Sequence, residues 1–296
     1  MAKIDLTIQK VMNEQNQSHE TRKRLYLTLE KLLKVPVISY FTSFNFPVMI
    51  DDADVDMMLG VLQKTDVSKG MALIISSPGG DGLASERLIN ICRNSSGTNE
   101  YCVIVPGKAK SAATMLCFGA NKIYMSASSE LGPVDPQMTL QEDGVIKRFS
   151  VFNLVKSYEK LFEHAVNAKS KNLEPYLQQL NRYDERQIEE FRAIIDLSED
   201  IAIRALKSGM MSKLTEDEIR EKIKMFLTPE QTKIHGRPIF YDEANKCGLN
   251  VELMEPLDIV WKIIYELYIR VNNFVSTRAS KLIESKDYSC LGKRGN

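Results

Sequence analysis

The chain has 296 residues, 39 basic and 39 acidic side chains that cancel to zero formal charge, 44% hydrophobic content and 26% charged content. This is an ordinary globular composition. It supplies no summed field for a phosphate backbone and shows no local basic stripe, so nucleic acid is not an expected partner. At roughly 150 residues per domain, one large domain or two smaller ones can each bury a core without a disulfide or metal staple.

The five cysteines, Cys92, Cys102, Cys117, Cys247 and Cys290, are widely spaced and include no CxxC pair. An odd count without framework spacing points to a reducing compartment. The polar N-terminus lacks the apolar run of a signal peptide, and no window reaches about 18 consecutive apolar residues. A cytoplasmic protein is expected, and membrane association is not.

Apolar residues at helical spacing (Ile4, Leu6, Ile8, Val11, Met12, then Leu25, Leu27, Leu29, Leu32 and Leu33) flank a polar break at 13–20, predicting a helical arm over 1–34. Extended and helical signals then alternate: strand 36–41, helix 52–63, strand 71–76, helix 83–93, strand 101–105, helix 112–118, strand 122–125. Such alternation predicts an α/β core over 35–149 with a mostly parallel sheet. The runs MALIIS and YCVIV are apolar on both faces, as a sheet covered on both sides requires.

From Ser150 the pattern changes to long helices over 151–169, 187–209 and 215–227. Gly209 is placed to stop the second, and Thr215 with Glu218 forms a capping box for the third. The last helix carries Asp258, Lys262, Glu266 and Arg270 at every fourth position of an otherwise apolar cylinder. That predicts a helix sunk in a core or subunit interface, making 150–284 a region of helices for packing and oligomerisation. The tail 285–296 is expected to be disordered.

Two segments carry chemistry. Ser76-Ser77-Pro78-Gly79-Gly80-Asp81-Gly82 lies between a buried strand and a helix, where adjacent glycines let backbone amides face an anion near a helix N-terminus. A Rossmann loop uses the same logic, but GGxG is not GxGxxG, and no acidic residue closes the next strand, which ends at Pro106-Gly107. A structural turn or an oxyanion hole for acyl chemistry remains. The next strand runs through Pro106-Gly107-Lys108-Ala109-Lys110 to Ser111, just before the helix that begins at Ala112. A hydroxyl at that strand-to-helix turn is either a helix N-cap or a nucleophile aimed into the crevice beyond the strand ends.

At SSPGGDGLASERLINICR (76–93), VPGKAKSAATMLCFGANKIYMS (105–126) and LGPVDPQ (131–137), with HGRPIFYDEANKCGL (235–249) as weaker support, the chain resembles the Clp-protease and crotonase superfamily. Within it the chain is most similar to the serine dehydrogenase proteinases, Clp-fold serine proteinases related to signal peptide peptidase A and to archaeal membrane-associated serine proteases. The resemblance implies a Clp/crotonase-like spiral of ββα units with added long helices on the N- and C-terminal sides. It implies Ser111 as nucleophile, Gly79 and Gly80 as oxyanion-hole glycines, and Ala112 as supplier of the neighbouring amide.

The departure lies at the base. In the Clp proteolytic subunit a histidine stands about 25 residues beyond the serine; here that stretch reads Leu131-Gly132-Pro133-Val134-Asp135-Pro136-Gln137, and His19, His164 and His235 all lie elsewhere. A lysine whose pKa is lowered by burial can replace it. Lys156 resembles, in context and distance, the lysine of the archaeal Ser-Lys proteases; Lys110, Lys147 and His164 are alternatives, and Asp135 is a candidate to orient a base or cap its turn. The expected activity is a serine endopeptidase forming an acyl-enzyme with a Ser-Lys dyad, without metal or other cofactor, on a peptide or protein substrate, in a homo-oligomer such as a trimer, hexamer or stacked rings. A crotonase-like acyl-thioester enzyme and a non-catalytic Clp-fold scaffold are the competing classes.

Overall fold

The computed structural model describes residues 7–14, 17–45, 48–97, 100–142, 145–168 and 173–292, without the side chains of 140–147. Two helices, α1 (Thr7–Asn13) and α2 (His19–Leu33), precede the core. Then β1 (Val37–Thr42), α3 (Ala53–Leu62), β2 (Met71–Ser76), α4 (Gly82–Ser96) and β3 (Tyr101–Val105) alternate. The short β4 (Lys108–Ala109) leads into α5 (Ala112–Phe118), β5 (Lys122–Met125) and β6 (Glu130–Leu131). A hairpin of β7 (Gln137–Glu142) and β8 (Val145–Ser150) runs into α6 (Val151–Asn167), followed by α7 (Glu174–Leu180) and α8 (Glu185–Ser208). Four short helices, α9 (Glu216–Lys222), α10 (Lys224–Leu227), α11 (Pro229–Thr232) and α12 (Tyr241–Lys246), precede β9 (Val251–Leu253), α13 (Ile259–Thr277), β10 (Lys281–Glu284) and β11 (Ser289–Gly292).

Among the described residues, seven strands form the central sheet in the order β11-β10-β1-β2-β3-β5-β9. The five from β1 to β9 run parallel, and β10 and β11 extend the edge antiparallel. The architecture is the mixed α/β layering expected of a ClpP-like fold. Successive residues of β2 serve opposite faces: Met71, Leu73 and Ile75 pack towards α3, α4, α5 and α8, while Ala72 and Ile74 pack under α2 and α13. Both cores need apolar residues, which is why the run has no polar face.

Four features differ from the sequence reading. Residues 289–292, read as part of a disordered tail, form β11 against β10; the ladder, rather than an apolar run, holds them. The segment 215–227 divides at Ile223 into α9 and α10. Gly209 does follow α8, but with φ −127 it is not in the left-handed region. A Cβ there would meet the Ala120 carbonyl at 2.8 Å, so close packing on the α5–β5 turn, and not helix termination, calls for glycine.

The fourth concerns only the assembly argument built on α13: of the core or subunit interface read for it, the helix takes the core, with Trp261, Ile264, Leu267, Val271 and Val275 buried against α2 and the sheet. Of its charged stripe, Arg270 is buried between Glu266 and Glu14 of the N-terminal arm, while Asp258 and Lys262 are exposed. This helix therefore supplies no argument for assembly. Ile4 and Leu6 of the predicted arm and residues 293–296 of the tail lie outside the described residues.

The capping box forms as read: Glu218 N donates to Thr215 Oγ1 at 3.3 Å, and Thr215 N donates to Glu218 Oε2 at 2.7 Å. Thr215→Ala is expected to lower stability by about 1 kcal/mol, read as a lower urea midpoint at unchanged slope.

Candidate active site

Ser111 occupies the N-cap position of α5, yet its side chain makes no capping bond, and its backbone sits at φ 51, ψ −121. A β-carbon at positive φ costs about 1–3 kcal/mol unless the surroundings dictate it. Here they do. Lys110 N donates to the Ser77 carbonyl at 3.0 Å, Ser77 N donates to the Lys108 carbonyl at 2.9 Å, and Thr114 N donates to the Ser111 carbonyl at 2.8 Å. Every residue of α5 is buried, so the turn cannot relax by moving the helix.

The glycine turn abuts this serine. Gly79 has φ 96, and a Cβ on it would lie 2.7 Å from Ser111 Cβ and 2.5 Å from the Lys110 carbonyl oxygen. Gly80, at φ 156, is clamped by the preceding loop: Ile50 N donates to the Gly79 carbonyl and Asp81 N to the Ile50 carbonyl, both at 2.9 Å. A side chain on Gly80 would strike the Ile50 backbone at 2.4 Å. The Gly79 amide donates to Ser77 Oγ at 3.1 Å, whereas the amides of Gly80 and Ala112 have no acceptor among the described residues.

Ser111, both glycines and Ala112 open on a crevice of about 880 Å³. Met49, Leu83, Met115, Ile194 and Leu197 give it apolar walls, and Gln137, Thr139 and Arg148 of the β7–β8 hairpin and its base close one side. Cys92 and Cys117 are no rival nucleophiles: burial pushes the Cys92 thiol up to about 12 and raises that of Cys117 as well.

Asp135 is buried in the segment whose neighbours Val134 and Pro136 line the crevice. Its Oδ2 accepts from Ser150 Oγ at 2.9 Å and from Gln137 Nε2 at 2.8 Å, and its Oδ1 lies 2.7 Å from Nδ1 of His235. A carboxylate on that side makes Nδ1 the protonated nitrogen and leaves Nε2 the basic one. His235, 17% exposed, comes from the loop between α11 and α12, 100 residues further on. Sequence reasoning missed this pair; its only trace was HGRPIFYDEANKCGL as a segment of resemblance.

The lysines lie elsewhere. Lys156 on α6 is 39% exposed, pairs with Glu230 and holds that carboxyl below the usual carboxylate range by its hydrogen bond and charge. Neither Lys156 nor His235 is among the residues lining the crevice, whereas Val134 and Pro136, on either side of Asp135, are. Lys110 runs along Gly132 to the Leu131 carbonyl at 3.1 Å and Glu130 at 3.2 Å; burial lowers its pKa, with Glu130 opposing. His164 stacks edge-on against Tyr176, with ring centroids 6.1 Å apart. The side chain of Lys147 lies outside the described ones. No group of three or more His, Cys, Asp or Glu side chains is arranged to hold a metal among the described residues, and no helix there is long and apolar enough to cross a membrane.

Two uncharacterised proteins of Methanocaldococcus jannaschii are similar in sequence. One is 27% identical over 227 residues, 76% of this chain and 68% of its own length. The other is 29% identical over 106 residues, 36% of this chain and 32% of its own length. A solved mutant of the 1510-N membrane-bound stomatin-specific protease is 16% identical and covers 75% of this chain and 99% of its own, at a TM-score of 0.30. The family of ClpP-like SDH-type serine proteinases matches residues 20–159. That stretch, a little under half of the chain, holds Ser111, both glycines and Asp135, and over it the chain is similar to the ClpP-like SDH-type serine proteinases.

Proposed function

We propose that the protein is a serine peptidase in which Ser111 attacks the peptide carbonyl and forms an acyl-enzyme. The observation that carries this reading is the strained, uncapped Ser111, facing a crevice beside two backbone amides that have no acceptor. A serine kept only to cap α5 would take an extended backbone and bond its own helix. The oxyanion is held by Gly80 N–H and Ala112 N–H. Gly79 acts through its bare α-carbon, which lets the turn approach Ser111, because its own amide is engaged by Ser77.

The general base in this reading is His235, oriented by Asp135. In the Clp pattern the histidine comes from the segment about 25 residues beyond the nucleophile; here that segment supplies Asp135, and its 2.7 Å bond to His235 supports an imidazole restored to the same neighbourhood from later in the chain. Nε2 takes the Ser111 proton as Oγ bonds to carbon and gives it to the leaving amine as the C–N bond breaks; it then takes a proton from the water that attacks the ester and gives that proton to Ser111 Oγ as the acyl group departs. The order along the chain is Ser, Asp, His, one of several orders in which this constellation works. The lysine alternatives draw less support: Lys156 is paired with Glu230 in solvent, and Lys110, although burial lowers its pKa, is engaged by Glu130 and the Leu131 carbonyl.

Covalent labelling by a fluorophosphonate tests the reading. The wild type is expected to take up one phosphonyl group on Ser111, and Ser111→Ala to lose both labelling and peptide hydrolysis with its fold intact. Undiminished labelling of Ser111→Ala would overturn it. A crotonase-like thioester enzyme or a scaffold would not label at all.

A further inference from the structure

The C-terminal strand β10 reaches the oxyanion turn through a buried polar cluster that the chemistry above does not use. Asp54, at the start of α3, is fully buried. One of its oxygens, Oδ2, accepts three bonds: from the Tyr40 hydroxyl at 2.7 Å, from Asp51 N at 2.9 Å and from Lys281 Nζ at 2.9 Å. Lys281, itself buried, also donates to Asp51 Oδ2 at 2.6 Å. The other Asp54 oxygen has no partner. An apolar core of the same shape would be no less stable than an ion pair bonded on one side only, so stability alone is a poor reason for the cluster.

What the cluster grips is more telling. Asp51 follows Ile50, and Ile50 forms the only backbone bridge that fixes Gly80 among the described residues, through its amide to the Gly79 carbonyl and its carbonyl to the Asp81 amide. Gly80 has no room for a side chain, since Ile50 backbone atoms stand 2.4 Å from where a Cβ would be, so the two backbones lie in close apposition. The path from Lys281 to the Gly80 amide thus passes through one carboxylate and two residues.

We propose that Lys281, Asp54 and Tyr40 are positioning residues that set the height of Ile50 and so aim the Gly80 amide at the oxyanion, coupling the C-terminal hairpin to the active site. The proposal rests on Gly80 being an oxyanion donor. Misalignment of such a donor weakens transition-state stabilisation without altering how the ground state binds.

Lys281→Met is expected to lower kcat and the fluorophosphonate labelling rate by roughly tenfold per folded molecule, with KM within about twofold. Lys281→Arg should recover most of the rate, since it keeps a cation in reach of both carboxylates. Tyr40→Phe, which loses one hydroxyl and no volume, should slow labelling by about threefold and serves where Lys281→Met fails to fold. Thr215→Ala, destabilised far from this path, should label at the wild-type rate. Wild-type labelling in both Lys281→Met and Tyr40→Phe would overturn the proposal. A wild type that does not label at all would sink the peptidase reading instead. Hydrogen exchange at the Asp81 amide reads the coupling without catalysis: faster exchange in Tyr40→Phe supports it, and unchanged protection contradicts it.

Discussion

His235→Ala is expected to reduce kcat/KM for a peptide substrate by about ten-thousandfold, and Asp135→Asn by a comparable factor. In the proposed mechanism, removing the imidazole leaves nothing to take the Ser111 proton. With an amide at 135, the partner of Nδ1 can present N–H in place of oxygen, which turns the ring tautomer against the serine. The two losses should not add in the double variant, because base and orienter act as a unit. Asp135 also holds Ser150, the N-cap of α6, so circular dichroism and a urea midpoint belong beside the kinetics. Lys156→Met should cost no more than severalfold, as expected for a solvent-exposed ion pair with Glu230. Full activity in His235→Ala together with loss in Lys156→Met would return the role of base to the lysine.

The largest expected effect on stability comes from Glu284→Gln. Arg22 and Glu284 form a fully buried bidentate pair, Nε to Oε1 at 2.7 Å and Nη2 to Oε2 at 2.6 Å, with Ser289 Oγ adding a third bond at 2.7 Å. The guanidinium also donates to the Gln17 carbonyl and lies 4.6 Å from the centre of the Phe274 ring. The pair joins α2 to β10. Removing the carboxylate charge strands a buried cation, which costs about 3–5 kcal/mol. Replacing both partners, Arg22→Met with Glu284→Leu, should restore much of that loss, since the cost lies in the uncompensated charge. Urea unfolding of the single and double variants measures it; a double variant as weak as Glu284→Gln would contradict the argument.

The parts of the fold that were legible in the sequence are those set by local pattern. β2, β3 and α5 have the bounds read from their apolar runs, because a strand buried on both faces and a helix buried all round leave no other place for such residues; β5, half-buried on one face, has the bounds read for it as well. β10 and β11 were not legible: four residues each, one with a buried lysine and glutamate, they are specified by partners more than 200 residues away in sequence, Asp51, Asp54 and Arg22. The site divides in the same way. Ser111 and the glycines announce themselves by a strand, a tight turn and a helix in sequence. The Asp135–His235 pair spans 100 residues and exists only once β6 and the loop before α12 are bridged, Leu131 to Ile239. The same motif reads Gly79 as an oxyanion donor, whereas in the fold Ser77 holds its amide.

In the proposed mechanism Ser111 Oγ attacks while Gly80 and Ala112 receive the oxyanion and His235 handles the proton. A crystal structure of the fluorophosphonate adduct tests all three together, since the phosphonyl oxygen stands where the oxyanion forms. The expected result is phosphorus bonded to Ser111 Oγ, its oxygen within about 2.7–3.1 Å of the Gly80 and Ala112 nitrogens, and His235 Nε2 facing Oγ with Asp135 behind it. An adduct whose oxygen points to solvent, or whose Oγ is met by Lys156 Nζ in place of the imidazole, would contradict it.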